Sequence, residues 1–224
     1  SLLTLPTVDL YGAVHKGLRA QLGSLCTRLC RLDLTKPAAL WTALDDLDGG
    51  LFLCEAHVRH EEHAIHPVLV NVGARRRLEG EHADHVLWME ALRTLADRLI
   101  DSEGDEALAV VHSLPVSFAA FTAATFLPLD DEDVVVHALL ESMLSRSGLE
   151  DVEQRLLASI GPEELDAFLR IIVPAVEPTL RVALLQGARQ GLPASVYAEL
   201  LSSLERTLDQ LEWRELHARL EVAA

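Results

Sequence analysis

The sequence predicts an all-α protein: an up-and-down four-helix bundle over residues 1–146, followed by a helical extension over 147–224 packed on that bundle. Three observations carry this expectation. Leu, Ala and charged residues dominate the 224 positions while β-branched runs stay short. Apolar residues recur every three or four positions. The separators between the first periodic segments are short, so consecutive long helices must run antiparallel.

The periodicity places helices near 8–31, 37–71, 75–101, 105–146, 148–159, 162–188 and 193–221. The first carries Tyr11, His15, Leu18, Leu22 and Leu29 on one face. The separator LDLTKPAAL offers Thr35 as a cap and Pro37 at the helix entrance. The second helix then presents Cys54, His57, Glu61, Ile65 and Val68 as its inner row. NVGARR, with Gly73 read near a stop, leads to a third helix whose row is Leu78, His82, His85, Met89, Leu92, Ala96 and Leu99. DSEGDE supplies the next turn, and the fourth row reads Leu114, Phe118, Phe121, Thr125, Pro128, Glu132, Val135 and Leu139. In the extension, Gly161 with Pro162, and later Pro193, mark breaks, and Pro174 with Pro178 predict a bend inside 162–188. The terminal LEWRELHARLEVAA is expected to pack back on the molecule, with homodimer formation as the competing use of its apolar positions.

Charge narrows the function classes. The chain has 19 basic and 35 acidic residues, a net charge of −16, and no Lys/Arg cluster. That balance argues against nucleic acid and anionic membrane as partners. SLLTLPTVDLYG has neither the basic n-region nor the apolar run of a signal peptide, and no later run reads as long enough to cross a bilayer, so the expected location is cytoplasmic. Three cysteines, Cys26, Cys30 and Cys54, are an odd count that argues against a disulfide framework. Cys26 and Cys30 lack the Cys-x-x-Cys spacing of a zinc knuckle and read as buried apolar filler. Nucleophile, phosphate-loop and dinucleotide-loop motifs are absent from the sequence.

The stretch AHVRHEEHAIHPVL, residues 56–69, concentrates four histidines and a glutamate pair. His57 and Glu61 fall on the inner row one turn apart, while His60, His63 and His66 fall off it and read as surface or rim residues. His15 and His82 also look inward, and Glu132 does so from the fourth helix. A carboxylate buried without a cation or donor is costly. Three histidines and two carboxylates from four helices therefore form a candidate metal centre: His15, His57, Glu61, His82 and Glu132. His85 stands in reserve.

Together, YGAVHKGLR, HVRHEEHAIHP and EGEHADH resemble the hemerythrin-like, or HHE cation-binding, family over residues 8–146. The resemblance implies a four-helix bundle around a non-haem di-iron centre. It makes His15, His57 and His82 imidazole ligands, Glu61 a bridging carboxylate and Glu62 the outer member of the Glu pair. In TFLPLDDEDVVVHALL, Glu132 matches the fourth-helix carboxylate and Asp133 its acidic neighbour, but Pro128 stands where the family has a histidine. One imidazole is thereby missing, which implies one ion or an incomplete pair. His137, five residues beyond Glu132, cannot share its direction in a straight helix, so only His85 is placed to compensate.

Iron is the first expectation from mixed imidazole and carboxylate donors; zinc and manganese suit the same set. An open coordination position would meet O₂ or another small diatomic ligand, consistent with redox, gas or iron sensing. Two alternatives stay open: a metal-free structural or interaction module with a polar internal network, and a metal-dependent oxidoreductase. No protein partner is indicated.

Overall fold

A computed structural model describes residues 8–222; residues 1–7, which carry much of the leader reading, and 223–224 lie outside the described residues. All regular structure among the described residues is helical. The first four helices are α1 (Gly12–Leu29), α2 (Pro37–Ala64), α3 (Val72–Asp101) and α4 (Gly104–Asp131). They pack in a ring, α1 on α2, α2 on α3, α3 on α4 and α4 on α1. α4 runs through a π-helical turn, Glu132–Val136, into α5 (His137–Met143). The extension comprises α6 (Arg146–Ser159), α7 (Pro162–Ala175), α8 (Pro178–Gly191), α9 (Ala194–Thr207) and α10 (Gln210–Val222).

Several local signals resolve differently from the sequence expectation. Pro67 ends α2 early, and the chain turns through a short 3₁₀ segment, His66–Val68. Thr35 does not cap α2; its hydroxyl donates to Asp33. Gly73 belongs to the first turn of α3, where Asn71 accepts from the Gly73 and Ala74 amides. Pro174 and Pro178 bring about a break rather than a bend. The carbonyls left there are taken by the buried Arg181, which donates to Val176 and Pro174 oxygens and to Glu212 at 2.8, 3.2 and 3.0 Å. The last predicted helix also divides, at Leu208 and Asp209. Cys54 is buried as expected, Cys26 is half-buried and Cys30 is exposed, so the filler reading fails for Cys30.

One helical span, Gly104–Met143, is long and apolar enough to cross a bilayer by length and composition, which corrects the expectation that no such run exists. Here it packs on α1 and α3 and carries Glu132 into the interior.

Two apolar clusters occupy the two ends of the helix ring. The larger gathers Leu18 and Leu22 of α1, Cys54 of α2, Met89 of α3 and Phe118 and Phe121 of α4, and also takes Phe168 and Ile172 from α7. The smaller gathers Tyr11, Ile65, Leu69, Leu78, Val136 and Leu140, with Leu149 and Val152 from α6. α7 lies close against α1 because Gly17 has no side chain: a Cβ there would stand 3.0–3.1 Å from Ile172 atoms, its backbone included. A third cluster, Leu185, Leu200, Leu204 and Leu216 among others, holds the extension together.

Candidate metal centre

His15, His57, Glu61, His82, His85 and Glu132 fall between the two apolar clusters on the helices of the ring. In α1, His15 lies between Tyr11 and Leu18; in α2, His57 and Glu61 lie between Cys54 and Ile65; in α3, His82 and His85 lie between Leu78 and Met89. Glu132 follows Leu129 and precedes Val136. Helical periodicity thus turns each row inward, and the apolar layers above and below exclude water from the one between.

All five sequence-designated residues are buried. His15, His57, Glu61 and Glu132 each offer a ligand atom within 4.8 Å of the others. His15 Nε2 lies 3.2 Å from His57 Nε2, 3.8 Å from Glu61 Oε1 and 3.5 Å from Glu132 Oε2. His57 Nε2 is 3.3 Å from Glu61 Oε1. His82 stands on the opposite side, with Nε2 3.4 Å from Glu61 Oε2 and 3.8 Å from Glu132 Oε1. Each carboxylate therefore turns one oxygen toward His15 and the other toward His82.

Two further carboxylates set the histidine tautomers. His15 Nδ1 donates to Asp133 Oδ1 at 2.7 Å, and Arg19 holds the other Asp133 oxygen at 2.8 Å while also reaching Asp130 at 2.7 Å. His82 Nδ1 donates to Glu62 Oε1 at 3.2 Å. In both cases the partner fixes Nδ1–H and leaves Nε2 facing the carboxylates, the orientation a cation needs.

Burial alone would depress His15, but the hydrogen bond to Asp133 and the nearby charges of Glu61 and Glu132 override it and raise it to about 9. Burial opposes protonation of His82 too, and Glu132 and Glu61 raise it to about 10. His57 is lowered to about 4, by burial first and then by the charges of His15, His82 and His85. Burial, then the charge of Glu61, pushes Glu132 up to about 7. Glu61 is held ionised against its burial by the surrounding histidines. Tyr11, packed on His15 with ring centroids 5.2 Å apart, is raised by burial and by the nearby carboxylates.

A void of about 20 Å³ lies against His57, Glu61, His82 and Glu132, walled also by Leu18, Met89, Phe121 and Pro128. It has room for about one water-sized species. Both Glu61 oxygens and Glu132 Oε2 are buried without a hydrogen-bond donor. Orphaned carboxylate oxygens and convergent imidazole nitrogens around a void of this size fit a cation.

Pro128 has no N–H to offer the Ala124 carbonyl one turn back. His85 Nε2 donates to that oxygen at 3.4 Å. The residue held in reserve as a substitute ligand thus fills a gap in the backbone ladder. His60 and His66, expected at the rim, are both buried, whereas His63 is exposed. His60 bridges to the extension, Nδ1 to Ser159 Oγ at 2.7 Å and Nε2 to Glu164 at 3.0 Å. His66 stacks on His82 with centroids 5.0 Å apart, and its buried Nε2 has no partner. The signal that could have found it is Pro67, which ends the helix and invalidates extension of the α2 row.

The π turn alters the fourth row as well. Val135 is exposed and Leu139 only half-buried, while Val136 and Leu140 point inward. The straight-helix argument against His137 therefore does not describe this helix; its Nδ1 is buried and unpartnered, and its ring meets Tyr11 edge-on at 6.4 Å.

No family model, curated protein or solved structure matches the chain.

Proposed function

We propose that this protein is a hemerythrin-like cation-binding protein, an up-and-down four-helix bundle with a helical extension, that holds non-haem iron as one ion or an incomplete pair. His15, His57, Glu61, His82 and Glu132 are the ligands. The observation that carries this reading is the pair of buried carboxylates with donorless oxygens, each divided between the His15 side and the His82 side. Glu62 and Asp133 orient His82 and His15 from behind. With His15 and His57 on one side and His82 alone on the other, the His15 side is the better furnished half. Bound there, iron would supply a Lewis-acidic centre with a position open to O₂ or another small diatomic ligand, which favours sensing over oxygen carriage.

Anaerobic reconstitution with Fe(II), elemental quantification and optical spectroscopy under controlled O₂ test the proposal. One iron per chain without a reversible oxygen adduct is expected. Two irons with a reversible adduct would make the protein a carrier. A folded chain that takes up neither iron, manganese nor zinc above background refutes the metal reading. The protonated His15 and His82 facing Glu61 and Glu132 would then act as an internal ion network in a metal-free structural module.

A further inference from the structure

The α6–α8 side of the bundle forms a second, solvent-open cavity of about 620 Å³, between α1 and α2 on one wall and α6, α7 and α8 on the other. Its volume lies within the range of small-molecule sites, roughly 300–1,000 Å³. Leu156, Ile160, Phe168, Ile172 and Leu184 supply much of its apolar lining. His57 and Glu61 line both this cavity and the 20 Å³ void, so those two side chains form the partition between them. Glu61 is buried with neither oxygen bonded to a donor.

The charged groups of the wall choose the ligand. Lys16 is 3.5 Å from Glu177 and Arg146 is 3.0 Å from Glu150, so both cations are already paired. Asp9 caps α1 by accepting from the Tyr11 and Gly12 amides. Glu153 and Glu61 add negative charge without a Lys or Arg partner in the wall. Glu61 faces His15, His57 and His82, so an anion would meet paired cations and the unpaired Glu153, whereas a neutral or cationic molecule would meet an apolar wall and acceptors.

We infer that this cavity is a binding site for a neutral or cationic, mainly apolar organic molecule whose inner end rests against His57 and Glu61. It deepens the metal reading, since a ligand there would lie beside the cation, but its test is separable because the cavity exists without one.

The test is a fluorescence titration of the full metal-free chain with the neutral dye N-phenyl-1-naphthylamine, and with its anionic relative 8-anilinonaphthalene-1-sulfonate. Saturable uptake of one neutral dye per chain is expected, with the sulfonate weaker by at least about tenfold. Ala13→Phe and Leu184→Phe each place a ring in the cavity from opposite walls. Each is expected to weaken neutral-dye binding by about tenfold or more while the circular dichroism stays that of the parent. Nuclear Overhauser contacts from the bound dye to the His57 ring locate its inner end. No saturable uptake, stronger uptake of the sulfonate, affinity unchanged in either folded variant, or contacts that omit His57 overturns the proposal. Mn(II) binding measured on the same samples keeps the two readings apart. Dye without metal leaves the cavity standing and removes the centre, and metal without dye does the reverse.

Discussion

Replacing Asp133 by Asn removes a negative charge from behind His15 while keeping an oxygen able to accept from Nδ1. Asp133 takes the His15 proton at 2.7 Å and one Arg19 guanidinium nitrogen at 2.8 Å, and its side chain is 26% exposed. Loss of such an orienting partner costs roughly 10–100-fold in metal affinity, about 1.4–2.7 kcal/mol. The retained acceptor and the partial access of water place Asp133→Asn near the lower bound, about tenfold, and Asp133→Ala near the upper. A second effect opposes the first. His15 is raised to about 9, so near neutrality a proton competes for the nitrogen a cation needs; without Asp133 that value falls and the competition eases. The affinity deficit should therefore widen as pH rises toward about 9. Asp130, 73% exposed and bonded only to Arg19, is the control, and Asp130→Asn should cost less than about 0.5 kcal/mol. Competition between protein and a fluorescent chelator for Mn(II) or Zn(II) measures all three variants. If Asp133→Asn and Asp133→Ala both stay within about twofold of the parent across this pH range, His15 does not act as an Asp133-oriented ligand.

Cation uptake near neutrality should release protons from His15 and His82, which stand at about 9 and about 10. Apparent affinity should rise about tenfold per pH unit for each proton released, seen by calorimetry in buffers of contrasting ionisation enthalpy; a pH-independent affinity is the contrary result. Pro128→His should return a backbone donor to Ala124, release His85 and add an imidazole to the void wall, raising the metal content from one ion to two. Two ions in parent and variant alike would mean that another residue already completes the pair. Gly17→Ala should destabilise the chain by about 1–3 kcal/mol, because its Cβ would meet Ile172 backbone atoms that cannot rotate away. An unchanged denaturation midpoint would contradict the close seating of α7 on α1.

Where a helix is regular, the inward rows were readable from spacing alone. His15, His82 and the pair His57–Glu61 each sit one turn from apolar neighbours, and the structure buries all of them. The misreadings cluster where local backbone chemistry breaks the period. Pro67 turned His66 inward, the π turn exchanged Val135 for Val136, and Pro174 with Pro178 cut one predicted helix into two. The resemblance pointed to Glu62 and Asp133 as outer acidic neighbours, but their hydrogen bonds to the far side of His82 and His15 depend on distances between helices, which no single-helix pattern encodes. The larger cavity was invisible for the same reason, since its walls come from five helices spread from α1 to α8.

The π turn at Glu132–Val136 works as a phase shifter within one continuous helical rod. Upstream, α4 is in phase with the larger apolar cluster; downstream, Val136 and Leu140 are in phase with the smaller one, and Glu132 sits at the seam. One residue corresponds to about 100° of helical rotation. The extra residue lets a single rod satisfy two cores that a uniform helix could serve only by turning one of them away. The length of this segment is consequently as constrained as its composition. Loss of Val134 or Val135 would rotate Leu140 off its cluster without removing any ligand or Asp133, and the cost would fall on how α5 seats against α6.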